Sequence, residues 1–290
     1  MISPYVIHLL ILIGIYVILS VSLNLALGYA GLLNLGHVAL FGIGAYTSTL
    51  LTMNGVPFVI SFLLAGLTAS FFGFLLILAT RKLQGDYYAL ATLGFAFVVY
   101  SLFLNLTDLT RGPLGIPGIP KPNLFGFVIG SNLQYLLFVA VLVLVSVYSI
   151  RTVVESPFGR LLEAMRDDEL GLRVLGKNTK MLKYKSMMIS AFFAGISGSL
   201  FAHYISFIDP STFYINELIL IITIVIVGGI ASLKGSIVAP FVIILIPEAL
   251  RFLSLPSSIL GPARQIIYAL VLLFILMYKP RGLYGKIDLE

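Results

Sequence analysis

Long apolar runs, separated by short polar or glycine-rich breaks, extend along almost the whole chain of 290 residues. A membrane-spanning helix needs about 20 apolar residues, and most of the runs approach that length. The predicted spans lie near residues 4–27, 38–53, 57–80, 87–104, 131–150, 186–206, 216–230, 236–253 and 265–278. The pattern therefore predicts an all-α, polytopic transmembrane helical bundle.

One glycine-rich stretch, residues 28–36, interrupts the apolar pattern between the first two runs. Such a stretch predicts either a re-entrant loop that dips into the membrane or an additional, broken span. We therefore expect eight to ten spans, all in a single transmembrane domain that covers residues 1–290.

Charged residues are concentrated in residues 151–185, which we call the charged loop. It holds thirteen of the thirty charged side chains, whereas residues 1–80 contain no Asp, Glu, Lys or Arg. A charge at the bilayer centre costs roughly 2.5–3.5 kcal/mol, so the charged loop is predicted to lie in water.

The distribution of Lys and Arg predicts which way the chain crosses the membrane. If the charged loop is cytoplasmic, alternating spans place fourteen of the eighteen basic residues inside. The four that remain outside are Arg111, Lys121, Arg251 and Arg264. Because cytoplasmic loops are enriched in Lys and Arg, the predicted N-terminus is outside and the C-terminus is cytoplasmic. Nine spans satisfy these end positions, whereas ten do not.

Composition narrows the function classes further. A mean hydropathy of +1.07 with 10% charged residues excludes an ordinary soluble domain. The net charge of +6 is explained by basic cytoplasmic loops near lipid headgroups, so no nucleic-acid partner is expected. The chain has no cysteine, and no nucleophile, metal or acid–base cluster is evident in the sequence. We therefore expect neither an enzyme nor a cofactor.

Residues 171–178 nearly match the phosphate-binding pattern G-x-x-x-x-G-K-[ST]. The match fails at Asn178, where a hydroxyl group would have to bind magnesium. The stretch also follows a predicted helix, whereas a phosphate loop follows a buried strand. If this protein uses ATP, the ATPase is therefore expected to be another polypeptide.

The charged loop is predicted to form one or two short surface helices. Ser156 and Pro157 are typical of a helix N-cap and first position, and Leu161, Leu162 and Met165 follow as an apolar cluster. Two interpretations remain open at this point. The loop is either a solvated segment at the lipid headgroups or a docking site for a cytoplasmic partner.

Residues 28–46 are rich in small side chains, which allow helices to approach closely in a membrane. Glycine there is most often a packing residue. The neighbouring polar residues Asn24, Asn34, His37 and Thr47 favour a second interpretation, in which the segment lines a translocation path. His37 is not expected to bind a metal, because no carboxylate lies near it in the sequence.

Glu217 and Glu248 are the two acids expected within the membrane, where acids are functional candidates. Glu217 begins a predicted span and is expected at the interface. Glu248 precedes Arg251 by three residues, so a structural ion pair on one helix face is the favoured interpretation. No arrangement of acids resembles a proton relay or a sodium site.

Several segments of the chain, taken in order, resemble the inner-membrane permeases of branched-chain amino-acid ABC transporters, of the M type (LivM). The first is GYAGLLNLGHVALFGIGAY at residues 28–46. The others lie at residues 91–95, 110–115, 162–185, 189–200 and 226–250. The resemblance covers most of the chain.

The resemblance implies a permease that imports branched-chain amino acids, or related small amino acids or amides, across the inner membrane. It implies a second, homologous permease subunit, two cytoplasmic ATPase subunits and an extracytoplasmic solute-binding protein as partners. It also implies that residues 163–176 form the coupling helix that docks on the ATPase. The residues expected there are Glu163, Ala164, Arg166, Asp167, Asp168, Glu169 and Gly176. The residues expected along the path are Asn24, Gly31, Asn34, Gly36, His37, Thr47 and Thr92.

The sequence departs from the general permease pattern E-A-A-x-x-x-G, which would begin at Glu163. Position 165 is Met and position 169 is Glu. Two alternatives are kept. Related permeases carry urea or short amides, and a stand-alone secondary transporter driven by an ion gradient would give Glu217 or Glu248 a coupling role.

Overall fold

Helices account for most of the structure, a computed structural model that describes residues 4–124, 126–248, 257–279 and 281–285. The helices are α1 (Pro4–Asn24), α2 (His37–Met53), α3 (Phe58–Thr80), α4 (Gly85–Asn105), α5 (Thr107–Thr110), α6 (Asn132–Glu155), α7 (Pro157–Asp167), α8 (Glu169–Val174), α9 (Thr179–Ile205), α10 (Ile215–Gly228), α11 (Leu233–Glu248) and α12 (Ser257–Tyr278). A π-helical turn, Leu25–Tyr29, continues α1, and two 3₁₀ turns occupy Gly112–Leu114 and Pro210–Phe213. The strands are β1 (Ile116–Pro117), β2 (Asn123–Leu124), β3 (Phe127–Val128) and β4 (Phe207–Ile208).

The predicted spans correspond to helices of the structure. Nine described helices, α1 to α4, α6 and α9 to α12, coincide with the nine predicted apolar runs. Six helical segments are long and apolar enough to cross a membrane by length and composition: Pro4–Tyr29, Phe58–Thr80, Gly85–Asn105, Asn132–Glu155, Thr179–Ile205 and Pro210–Gly228. The end of the predicted span 236–253 lies outside the described residues. The predicted all-α bundle is confirmed.

Contacts between segments distant in the sequence show which of these segments lie at the same end of the bundle. At the end that carries the charged loop, which we call the charged end, Arg166 donates a hydrogen bond to the Gly28 carbonyl oxygen at 2.8 Å. At the opposite end, β1 pairs with β4 in antiparallel register. Tyr5 contacts Glu248 at that opposite end, whereas the backbone of Leu283 bonds Val227 at the charged end. The two ends of the described chain therefore lie on opposite sides of the bundle.

Small residues bring α2, α3 and α9 close together in the centre of the bundle. A Cβ atom built at Gly44 in α2 would lie 2.2 Å from the carbonyl oxygen of Gly195 in α9. A Cβ atom at Gly198 would lie 2.0 Å from the carbonyl oxygen of Phe41. Lipid is as apolar as the helices, so close packing rather than hydrophobic burial drives such contacts.

Candidate functional site

The break between the first two spans has a defined backbone. Helix α1 ends in the π-helical turn Leu25–Tyr29, and α2 begins at His37. Gly31 between them has φ +67°, a left-handed conformation that glycine adopts readily. The amide of Leu32 returns to the carbonyl oxygen of Ala26 at 2.8 Å. The predicted interruption at residues 28–36, which we call the broken segment, therefore consists of the end of the π-helical turn and a non-helical connection at residues 30–36, and it lies at the charged end.

Three of the predicted path residues meet in the broken segment. The Asn34 side-chain oxygen accepts a hydrogen bond from the Gly36 amide at 3.0 Å. The Thr92 hydroxyl oxygen, from α4, accepts one from the Leu35 amide at 3.0 Å. A Cβ atom at Gly36 would lie 2.8 Å from the Thr92 carbonyl oxygen. Helix α4 therefore contacts the segment in two ways. The Thr92 side chain bonds the Leu35 amide, and the Thr92 backbone approaches position 36 so closely that only glycine fits.

The path residues predicted at positions 24, 37 and 47 lie at contacts between elements: Asn24 and His37 are buried, and Thr47 is half-buried. The Asn24 amide donates to the Ser236 hydroxyl at 2.7 Å, and its oxygen accepts from the Ala231 amide at 3.0 Å. His37 Nε2 lies 2.9 Å from the Ser22 hydroxyl, and Thr47 accepts from Thr68 of α3 at 3.2 Å. Asn24, His37 and Thr47 therefore each join a pair of elements, and His37 does so directly after Gly36, at the start of α2.

Helix α7 lies against the bundle with its apolar face inward. The Ser156 hydroxyl caps its start by accepting from the Gly159 amide at 3.3 Å, as predicted from the local sequence. Leu162 and Met165 are buried. On the same helix, Nη1 of Arg166 donates to the Gly28 carbonyl oxygen at 2.8 Å. The charged loop and the broken segment, which the sequence gives as separate features, therefore touch directly.

Gly31 completes this contact. A Cβ atom at Gly31 would lie 2.8 Å from Cγ of Arg166, so a larger residue would displace the arginine stem. Gly31 and Arg166 also line a cavity of about 270 Å³ together with Glu169 and Lys183. The arrangement allows movement of α7 to be passed to the backbone that joins α1 to α2.

Polar contacts fix α8 relative to α7 and α9. The Asp168 carboxylate caps α8 by accepting from the Gly171 amide at 2.9 Å. Glu169 bonds Lys183 of α9 at 2.7 Å and Arg173 at 2.5 Å. Burial acts to raise the pKa of Glu169, but the bonds from Lys183 and Arg173 outweigh it and lower the pKa. This stabilisation is therefore complete at neutral pH and is lost as the pH falls through the lowered pKa.

The remaining predicted coupling residues lie on or near the surface of this region. Glu163 is half-buried, and Ala164, Asp167 and Gly176 are exposed. Asp167 forms an ion pair with Arg166 at 2.8 Å. The predicted coupling residues thus occupy α7, α8, the residue between these two helices (Asp168) and the turn that follows α8.

The near match to a phosphate loop consists of helix ends. Residues 171–178 include the end of α8, the turn at Gly176 with φ +76°, and the residue that caps α9. The Asn178 side-chain oxygen accepts from the Met181 amide at 3.1 Å. The element before this stretch is a helix, as expected. The asparagine that breaks the motif therefore has a local structural use.

A second polar site lies at the opposite end of the bundle, between α1, α10, α11 and α12. It is a cavity of about 470 Å³, which we call the acidic cavity because Glu217 and Glu248 line it. Tyr16 of α1 donates to the Glu217 carboxylate at 2.5 Å. Glu248 pairs with Arg264 of α12 at 3.0 Å. The predicted partner of Glu248, residue 251, lies outside the described residues.

The sequence analysis missed several residues of this cavity. His8, Tyr16, Arg264 and Gln265 line it, and none of them was predicted as a site residue. A signal was present, because the lining residues of α12 lie at positions 261, 264, 265 and 268 and share one helix face. None of the predicted path residues lines the acidic cavity.

Comparison with known proteins gives the family. Residues 5–278 match the family described as branched-chain amino acid transport system / permease component. The chain is 34% identical to the high-affinity branched-chain amino acid transport system permease protein LivM of Escherichia coli K12, over 98% of this chain and 71% of that protein. It is 23% identical to the corresponding permease protein LivH of Salmonella typhimurium, over 95% of this chain and 92% of that protein. No solved structure matches.

The described chain is a helical bundle whose broken first connection touches a charged loop, and these matches identify it as a membrane transport permease. The chain belongs to the branched-chain amino acid transport system permease family.

Proposed function

We propose that this chain is a transmembrane subunit of an ABC importer that moves branched-chain amino acids across the inner membrane. ATP hydrolysis occurs on separate subunits. The observation that carries the mechanism is the contact between Arg166 of α7 and the carbonyl oxygen of Gly28 in the broken segment. When the ATPases close, α7 moves, and the broken segment between α1 and α2 moves with it.

The partners follow from the kind of transporter. The relatives include permease proteins named LivM and LivH, which supports pairing of this chain with a second, homologous permease. Two cytoplasmic ATPase subunits and an extracytoplasmic solute-binding protein complete the importer. We propose that the basic residues of the charged end face the cytoplasm and the anionic lipid headgroups, with the N-terminus outside and the C-terminus inside, as the excess of Lys and Arg in cytoplasmic loops favours.

The seven predicted path residues are proposed to act at different depths. Gly31, Asn34, Gly36 and Thr92 form a gate at the charged end, because they hold the broken segment in one conformation. Asn24, His37 and Thr47 lie between helices that must separate slightly when the path opens. The side chains of Asn24, Asn34, Thr47 and Thr92 form hydrogen bonds within the protein, as a membrane interior requires, whereas Nδ1 of His37 is buried without a partner in the described structure.

Helix α8 is the proposed docking surface for the ATPase. Leu170, Val174 and Leu175 are 69%, 87% and 75% exposed, although they lie in the aqueous charged loop. Apolar side chains grouped in water mark a protein interaction site more often than isolated ones do. In this proposal the exposed face of α8 binds the ATPase, and the buried face of α7 transmits the movement to the bundle.

Replacing Val174 with glutamate should weaken assembly of the ATPase by about tenfold or more, because a charge would enter an apolar contact. The amount of ATPase that co-purifies with the permease measures the effect. Lys180→Glu is the matched control, since it adds an acid to the same loop on an exposed position of α9. Equal losses in both variants would assign the effect to charge alone and argue against docking through α8.

Reconstitution in proteoliposomes tests the function itself. The chain alone should take up no leucine under a sodium or proton gradient. The chain assembled with a homologous permease, the ATPases and the binding protein should show ATP-dependent leucine uptake that valine and isoleucine inhibit. Gradient-driven uptake by the chain alone would favour a secondary transporter, and uptake of urea instead of leucine would favour the amide alternative.

A further inference from the structure

We propose that the acidic cavity is a binding site for a free α-amino acid, with the α-ammonium group at Glu217 and Glu248 and the α-carboxylate at Arg264. This inference rests on the proposed function and narrows it. It assigns the substrate a site at the opposite end of the bundle, away from the broken segment and from every path residue that the sequence predicts.

The charged groups of the cavity suit a zwitterion. Glu217 and Glu248 provide acceptors on two walls, α10 and α11, and Arg264 provides donors on α12. Arg264 uses Nη2 for Glu248 at 3.0 Å, but its Nε is buried with no hydrogen-bond partner in the described structure. A buried guanidinium N–H without a partner is costly, and a carboxylate that binds along that edge would satisfy it. The α-carboxylate of an amino acid would supply the missing acceptor for Nε of Arg264.

The rest of the wall suits an aliphatic side chain. Leu12 of α1, Leu220 of α10 and Ile244 of α11 face the same cavity as the charged groups. The volume of about 470 Å³ lies within the range of roughly 300–1,000 Å³ that small-molecule sites occupy. A ligand with one charged end and one apolar end fits this lining. Urea and short amides carry neither of the two charges and have little apolar surface.

Below the acidic cavity, α1 is closed against α11. The Ser20 hydroxyl donates to the Ser236 carbonyl oxygen at 2.7 Å, and Asn24 bonds the Ser236 hydroxyl at 2.7 Å. Tyr16, Ser20 and Asn24 follow one another at four-residue spacing, so they form a continuous polar row along α1. A substrate bound beside Tyr16 would therefore be separated from the broken segment by this closed section of α1 and α11.

A photoreactive leucine that carries a diazirine in its side chain tests the site in the assembled transporter. Labelled peptides should come from the apolar walls of the acidic cavity on α1, α10 and α11. Leucine should prevent labelling. 4-Methylpentanoate, which lacks the ammonium group, and 3-methylbutylamine, which lacks the carboxylate, should require concentrations about tenfold higher or more, since each loses charge-assisted hydrogen bonds.

Two variants test the charged groups: Glu217→Gln preserves shape and removes a charge, and Arg264→Lys preserves the charge and removes the planar guanidinium. Glu217→Gln and Arg264→Lys should each reduce saturable labelling about tenfold or more. Asp108→Asn and Arg111→Lys make the same types of chemical change at exposed residues outside the acidic cavity. These two control variants should leave labelling unchanged. The melting temperature of each assembled variant shows whether it is folded, and any loss of labelling counts only for variants that melt like the wild type.

The outcomes separate this inference from the proposed function. If the wild-type transporter takes up leucine but is labelled only elsewhere, or not saturably, the site is wrong and the function stands. Unchanged labelling in both folded variants would also overturn the site. If leucine is neither transported nor able to protect the cavity, both proposals are wrong. Protected labelling of the cavity that both variants reduce supports the site.

Discussion

Replacing Arg166 with alanine is expected to lower leucine uptake by the assembled transporter about tenfold or more while ATP hydrolysis continues. Nη1 of Arg166 holds the Gly28 carbonyl oxygen at 2.8 Å, and the arginine stem covers Gly31. A hydrogen bond from a charged group is worth about 1.5–3 kcal/mol, and 1.4 kcal/mol corresponds to a factor of ten. Without it, α7 can move with the ATPases without moving the broken segment. The ratio of leucine imported to ATP hydrolysed measures this coupling.

Arg160→Ala is the matched control for this experiment, because Arg160 is an exposed arginine of the same helix. Its coupling ratio should remain that of the wild type. Arg166→Lys should give an intermediate ratio, since lysine keeps the charge but loses the planar guanidinium. A wild-type coupling ratio in Arg166→Ala would refute transmission through this contact. An equal fall of hydrolysis and uptake would instead indicate lost assembly and would also contradict the prediction.

Gly44→Ala is expected to destabilise the bundle by about 1–3 kcal/mol, the usual range for an overpacked interior. The new Cβ atom would lie 2.2 Å from the carbonyl oxygen of Gly195, and backbone atoms cannot move aside as a flexible side chain can. Alanine favours a helix over glycine by about 1 kcal/mol, which offsets only part of this cost. Since 1 kcal/mol shifts the melting temperature of a large domain by about 2–4 °C, a fall of several degrees is expected.

Gly94→Ala provides the control for this second variant. Gly94 also lies within a helix, α4, but a Cβ atom there meets no other atom within 4 Å. The control should melt at the wild-type temperature or above it, because only the gain in helix propensity remains. Equal melting temperatures for Gly44→Ala and Gly94→Ala would show that α2 and α9 can separate without cost, contrary to the packing described above.

The charged loop shows which local features the sequence predicts well. Ser156 and Pro157 predict the start of α7, and the structure places the helix there with Ser156 as its cap. Capping depends on a few adjacent residues and is therefore visible in the sequence. The contact of Arg166 with Gly28 joins residues 138 apart, so no local pattern could indicate it.

The acidic cavity shows which contacts the sequence does not predict, namely those between side chains on different helices. The sequence predicts a pair of Glu248 with Arg251, which lies outside the described residues, and the structure shows a pair with Arg264, sixteen residues further along. Glu217, expected at the interface, accepts a hydrogen bond from Tyr16 of α1, which the sequence does not indicate. Each of these acids has its partner on another helix, and helix order in space does not follow from hydropathy.

The amino-acid sequence alone predicted the apolar helices to within several residues, the break between α1 and α2, the charged loop and the family. These features depend on the length and composition of continuous segments. In lipid, the backbone N–H and C=O groups of an apolar segment must form their hydrogen bonds within the segment, so it folds as a helix. The packing of the helices, by contrast, was needed to reveal that α7 touches the broken segment and that α1, α10, α11 and α12 enclose two carboxylates and a guanidinium. Such sites depend on which helix faces meet, and packing between small residues sets those faces with almost no signal in the hydrophobic pattern.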